Sequence, residues 1–210
     1  MKRILLFGFM AISLTVLGQE THNAAGAQVQ SAQPQPQPQV AMPEGKINWL
    51  SFEEAYALWQ KEPNKKFVID MYTDWCGWCK VMEKNTFTNP VVADFINKYY
   101  YPVKFNAEQR KDVVIGGQKY GFVAQGDGGT HSLAVALMNN QLSYPTTVFL
   151  DENMRIIQPV PGYMDALAFH QLTTYFFSNF HKVEPFDKYK AGTYVKLYGE
   201  PVKVSQTGGN

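Results

Sequence analysis

The chain holds two cysteines, Cys76 and Cys79, three positions apart in Asp74-Trp75-Cys76-Gly77-Trp78-Cys79-Lys80. They follow closely on Phe67-Val68-Ile69-Asp70-Met71-Tyr72, a mostly apolar run with the profile of a strand buried on both faces of a sheet. The pattern predicts a helix from Cys76 through Met82, so the pair sits where a buried strand gives way to a helix. That junction constrains the fold more than any other feature of the sequence. Cysteines so spaced can close into a disulfide and reopen without large backbone movement, which suits a redox centre. A structural disulfide gains more from closing a long loop than a short ring. A structural zinc site needs four ligands, and no second Cys-x-x-Cys or Cys-x-x-His completes one. Lys80 rather than His follows Cys79, which excludes a c-type haem attachment site.

The N-terminus reads as an export signal over residues 1–18. Lys2 and Arg3 supply its positive region, and Ile4 to Leu17 form an apolar run broken by Gly8, Ser13 and Thr15. The run falls short of the ~20 apolar residues of a membrane span, so no stable membrane insertion is expected once the signal is cleaved. Secreted domains commonly spend cysteines on several disulfides; a chain that keeps one closely spaced pair is expected to use it for chemistry. The net charge of +1 includes Lys2 and Arg3, and without them it is −1. No electrostatic case exists for nucleic acid or an anionic membrane surface.

Residues 19–43 contain Gln33-Pro34-Gln35-Pro36-Gln37-Pro38-Gln39 and read as a disordered, extended spacer. The folded domain is expected over 44–181, with a C-terminal extension over 182–210. Ser51 and Glu54 make a capping box ahead of Phe52, Ala55, Tyr56 and Trp59 at helical spacing. Thr88, Asn89 and Pro90 open a further helix carrying Val91, Val92, Phe95, Ile96 and Tyr99. Tyr101 to Phe105 reads as a second strand. Val113 to Val123 reads as a small β-hairpin, followed by a mobile loop around Gln125 to Gly129, because six glycines lie between 116 and 129. A helix over Ser132 to Asn140 precedes a hairpin of Thr146–Asp151 and Arg155–Val160. Asp165 caps a last helix reaching Phe180, and Ala191 to Val204 is expected to add an edge strand or to drape.

Cys76, at the first turn of its helix, faces unpaired backbone N–H groups and the positive end of the dipole, which favour a thiolate. It is the expected attacking sulfur; Cys79, one turn further in and less exposed, is expected to resolve the mixed disulfide. Asp70 is a carboxylate in an apolar strand. Buried, it would have a raised pKa and could exchange a proton with Cys79; a strand-end aspartate facing water is the alternative. Trp75 and Trp78 would flank the exposed sulfur as an apolar platform. His131 reads as a surface or helix-start histidine, with metal ligation the weaker reading.

The chain resembles the thioredoxin superfamily over roughly residues 47–181. The resemblance rests on Trp75-Cys76-Gly77-Trp78-Cys79-Lys80, on Asp70 six residues before the first cysteine, on Tyr144-Pro145-Thr146 opening a later strand, and on Gly162. It looks most like exported thioredoxin-like proteins of bacterial envelopes. It departs from thioredoxin in having Trp78 where thioredoxin has proline, and in the glycine-rich insertion. The resemblance implies an α/β fold with a central mixed sheet flanked by helices, the insertion preceding a cis-proline strand. It also implies a cis peptide at Pro145, leaving the backbone at Tyr144 to pair with an extended substrate, and it favours the proton-transfer role of Asp70. The expected activity is periplasmic protein-disulfide reduction by dithiol–disulfide exchange. No flavin or nicotinamide fingerprint is present, so electrons are expected from a dithiol protein, membrane-bound, and no cofactor is called for. The alternatives are an oxidase or isomerase using the same site, a Cu(I) carrier using Cys76, Cys79 and His131, and a peptide-binding module with vestigial redox activity.

Overall fold

Ser51 starts the first helix as its sequence implies. Its Oγ accepts the Glu54 N–H at 3.2 Å and the Glu54 carboxylate accepts the Ser51 N–H at 2.8 Å. The computed structural model describes residues 45–199, and the expected signal (1–18) and spacer (19–43) lie outside them. After α1 (Phe52–Lys61) comes β1 (Lys66–Tyr72), buried from Lys66 to Met71, then α2 (Gly77–Asn85). Asn89 caps α3 (Pro90–Tyr99), its Oδ1 accepting from the N–H groups of Val91 and Val92. The chain continues through β2 (Tyr100–Asn106), β3 (Val113–Ile115), β4 (Gln118–Tyr120), β5 (Phe122–Gln125), β6 (Gly128–His131) and α4 (Ser132–Leu137). It then forms β7 (Thr146–Leu150), β8 (Ile156–Pro161) and α5 (Ala166–Phe177).

The main sheet has the order β2-β1-β7-β8. β1 runs parallel to β2 and antiparallel to β7, and β8 is antiparallel to β7. This is the mixed sheet of a thioredoxin-like fold. Phe67, Ile69, Met71, Phe105 and Val148 bury one face against Phe52, Ala55, Leu133 and Leu137 of α1 and α4. Val68 and Phe149 bury the other against Met82, Ile96, Phe169 and Phe176 of α2, α3 and α5. Each fully buried side chain of this kind contributes about 1.5–3 kcal/mol. The strand directions have a functional consequence. The ends of β1 and β2 and the start of β7 meet at one edge, so the cysteine loop, the insertion and Pro145 all emerge there.

Four expectations change. The insertion forms two hairpins, β3–β4 and β5–β6, where one hairpin and a mobile loop were expected. Gly116 and Gly117, at φ +58° and +80°, make the two-residue turn of the first. Gly129 is a strand residue in the second, where a Cβ would collide with the Phe122 ring and the Val123 carbonyl. The glycines therefore serve tight turns and close approach. Second, α4 ends at Leu137 rather than Asn140, because Asn139 and Asn140 adopt the left-handed conformation. Third, α5 ends at Phe177, and Phe180 lies beyond left-handed Asn179 in a 3₁₀ turn (Phe180–Lys182).

Fourth, the described part of the C-terminal extension is helical, with α6 (Phe186–Lys188), a π-turn (Tyr189–Thr193) and α7 (Tyr194–Tyr198), and forms neither strand nor drape. It is held to α5: the Tyr189 hydroxyl lies 2.8 Å from Thr174 Oγ1 and the Tyr194 hydroxyl 2.8 Å from His170 Nδ1. Both tyrosines are buried in the core that α5 shares with the sheet, so the expected division at residue 182 does not separate two packing units. Among the described residues no helix is long and apolar enough to cross a membrane.

Candidate active site

β1 delivers the chain to the edge of the sheet, and Thr73 turns it: its carbonyl accepts the Cys76 N–H at 3.1 Å. Cys76 then stands as the N-cap of α2, in extended conformation, with its sulfur accepting the Cys79 N–H at 3.1 Å. Cys76 and Cys79 are joined in a disulfide. Thus the sulfur of Cys76 occupies the position where a helix end offers unpaired N–H groups to an acceptor. Burial departs from expectation: Cys76 is 4% exposed and Cys79 7%, so Cys79 is not the more hidden of the two. The N-cap geometry distinguishes the two sulfurs where exposure does not.

Around the buried disulfide the surface is aromatic. Trp75 and Trp78 are 67% and 62% exposed, far more than tryptophans that serve as core. Each is steadied by a neighbour. The Trp75 ring meets Tyr144 edge-on at 5.9 Å, and its Nε1–H donates to both carboxylate oxygens of Glu108 at 3.0 and 3.1 Å. Trp78 packs against Tyr163 with centroids 5.5 Å apart. The Trp75–Tyr144 contact brings Pro145 to the redox loop. The Tyr144–Pro145 peptide bond is cis, and the Pro145 carbonyl accepts the Gly162 N–H at 2.8 Å. The root of the insertion braces the same loop, since Asn106 Nδ2 donates to Asp74 Oδ2 at 3.1 Å.

Asp70 does not face water. It is buried beneath Cys79, and the two line a small cavity of about 160 Å³ with Tyr72, Thr73, Asp74, Lys80, Glu83 and Lys104. Burial raises its carboxyl to about 7; Lys104 opposes that rise and Glu83 adds to it. Lys104 lies opposite Asp70 in the sheet register, yet its ammonium is held 2.6 Å from Glu83. A carboxyl balanced near neutrality beside a sulfur can take up or release a proton at physiological pH.

His131 is not a surface residue. It is completely buried against Phe105 at the start of α4. Its Nδ1 accepts the Leu133 N–H at 3.2 Å, and its Nε2 lies 3.2 Å from the Lys111 carbonyl. With both ring nitrogens engaged it has none to offer a metal, and burial lowers its pKa.

The structure therefore gathers Cys76, Cys79, Asp70, Trp75, Trp78, Tyr144 and Pro145 at one edge of the sheet. It adds Glu108 and Tyr163, which the sequence reading missed. Glu108 lies 33 residues from its tryptophan partner, and no local spacing marks a contact of that range. Gly162, singled out beside the last strand, was the nearest pointer to Tyr163.

The chain is 31% identical over 67 residues to uncharacterized protein B0495.5 of Caenorhabditis elegans, a match spanning 32% of this chain and 9% of that protein. Among solved structures, it resembles a protein titled DsbH oxidoreductase at 15% identity and a TM-score of 0.46, covering 74% of this chain and 96% of that one. It also resembles a thioredoxin-fold protein from Helicobacter pylori at 17% identity and a TM-score of 0.48, covering 69% and 96%. The sequence pattern of the family Thioredox_DsbH, described as a protein of unknown function, DUF255, matches residues 39–182, and the chain belongs to that family.

Proposed function

We propose that this chain is an exported, periplasmic reductase of protein disulfides. The observation that carries this reading is the Cys76 sulfur at the N-cap of α2, bonded to Cys79 and flanked by two exposed tryptophans. In the reduced enzyme, Cys76 is the sulfur that the helix end favours as a thiolate. It attacks one sulfur of a substrate disulfide, and the other substrate sulfur leaves with the bonding pair. Cys79 then loses its proton to Asp70 and attacks Cys76. The Cys76–Cys79 bond forms, the second substrate sulfur departs as a thiolate and takes a proton from solvent, and two electrons have passed to the substrate. Trp75, Trp78, Tyr144 and Pro145 hold the extended substrate chain over the site.

Export is supported by Lys2, Arg3 and the apolar run from Ile4 to Leu17, with residues 19–43 as a spacer. The reducing direction is supported by Asp70, poised to deprotonate the resolving sulfur, and by the absence of a histidine between the cysteines. A membrane-bound dithiol protein supplies the electrons. The test is insulin reduction by the purified protein with a small dithiol as electron source. Catalytic turnover that depends on both cysteines is expected. No turnover, with tight Cu(I) binding by the reduced pair, would replace this reading with a carrier.

A further inference from the structure

The polar groups around Asp70 do not all have partners. On the sheet face beneath α2, the register sets Lys104 of β2, Asp70 of β1 and Thr147 of β7 side by side. The next row on that face, Pro102, Val68 and Phe149, is apolar. A polar row thus lies directly beside an apolar one. Lys104 leaves it to pair with Glu83. Thr147 stays: it is 1% exposed, and its hydroxyl has no hydrogen-bond partner among the described residues. Thr73 is in the same condition, 1% exposed with an orphaned hydroxyl, and it lines the cavity shared by Asp70 and Cys79.

A buried hydroxyl without a partner is destabilising, and valine would fill the same volume without that cost. Two such hydroxyls flank a carboxyl that must change its protonation state. A threonine hydroxyl suits that requirement, because it donates to a carboxylate and, after rotating, accepts from a carboxylic acid. The cavity that Thr73 lines with Asp70 has room for several waters, at ~30 Å³ each. The charged and titratable groups facing it are Lys104 from β2, Lys80 and Glu83 from α2, and Tyr72 and Asp74 from β1 and the loop that follows. The neighbouring strand β7 presents only the hydroxyl of Thr147 opposite Asp70.

We propose that Thr147 and Thr73 are positioning residues of the redox site, whose hydroxyls complete the hydrogen-bond shell of the Asp70 carboxyl, Thr147 from the neighbouring strand and Thr73 directly or through water in the cavity it shares with Asp70. This rests on the reading of Asp70 as proton acceptor for Cys79. When the mixed disulfide resolves, the Cys79 S–H bond breaks and the proton passes to an Asp70 oxygen. The electron pair left on sulfur forms the bond to Cys76. The threonine hydroxyls stabilise the carboxylate before the transfer and turn to accept from the acid after it.

The experiment compares Thr147→Val, Thr73→Val and Thr147→Ser with the wild type. Two quantities are read: the ionisation midpoint of the Asp70 carboxyl in the oxidised protein, by carbon-13 NMR, and the pH profile of mixed-disulfide resolution in a single turnover. Each valine variant should raise the midpoint by about one pH unit, since a hydrogen-bond donor to the carboxylate is lost. Resolution should slow about tenfold near pH 6 and rejoin the wild-type rate above about pH 9, where Cys79 ionises unaided. Thr147→Ser should restore both. A valine variant with midpoint and profile at wild-type values and a raised Tm would show an idle hydroxyl, and would overturn the proposal for that residue. A midpoint that still moves in the valine variants, in a protein that reduces no protein disulfide, would support the threonine assignment and contradict the proposed function.

Discussion

Removing the Cys79 sulfur leaves a mixed disulfide on Cys76 with no intramolecular attacker. Cys79→Ser should therefore accumulate covalent complexes with protein substrates, separable by non-reducing electrophoresis, while Cys76→Ser accumulates few. The asymmetry follows from the helix N-cap: the backbone N–H of Cys79 points at the Cys76 sulfur, and among the described residues no equivalent donor points at Cys79. Faster alkylation of Cys79 than of Cys76 in the reduced protein at mildly acidic pH would reverse the assignment. At this scale exposure alone is a poor guide, since both cysteines are buried while the residues around them reach solvent.

The elements divide into those a local pattern announces and those it does not. The Ser51–Glu54 capping box, the Asn89-Pro90 helix start and the buried strand before Cys76 were legible because each is encoded within a few residues. The hairpin β5–β6 was not, because glycines read as loop while Gly129 is demanded by the Phe122 ring packed over it. The C-terminal helices were hidden for another reason. Tyr189 and Tyr194 are five residues apart, a spacing that lines up on one face only through the π-turn between them. In the site, the cysteines and Asp70 were readable; Glu108, Tyr163, Thr73 and Thr147 act through tertiary neighbours. The insertion supports one prediction. Its root touches the redox loop through Asn106 and Glu108, whereas among the described residues the β5–β6 tip makes no hydrogen bond to that loop. Replacing Val123–Thr130 with Asn-Gly, which keeps the Phe122–His131 pair, should leave the reduction potential unchanged and alter rates toward folded protein substrates. Equal rates toward all of them would make the hairpin a spacer, and a shifted potential would place it in the active site.

For the whole molecule, burying Asp70 couples stability to pH. The folded carboxyl titrates near 7 and the unfolded one near 3.8. Between those values the native state holds a proton that the unfolded chain has released, so stability falls as pH rises through the window. Below it both states are protonated and the difference vanishes; above it the cost reaches up to roughly 4 kcal/mol. Urea unfolding of the oxidised protein should therefore show Asp70→Asn gaining on the wild type steadily from about pH 4 to pH 7. Parallel curves would mean that Asp70 ionises freely in the fold. Whether this buried pair works as a reductant is read by equilibrating Cys76–Cys79 against a glutathione redox buffer. A reducing pair is expected, with a potential near the ~−270 mV of thioredoxin. A value near ~−120 mV, where strong oxidants lie, would contradict it and reverse the direction of the exchange.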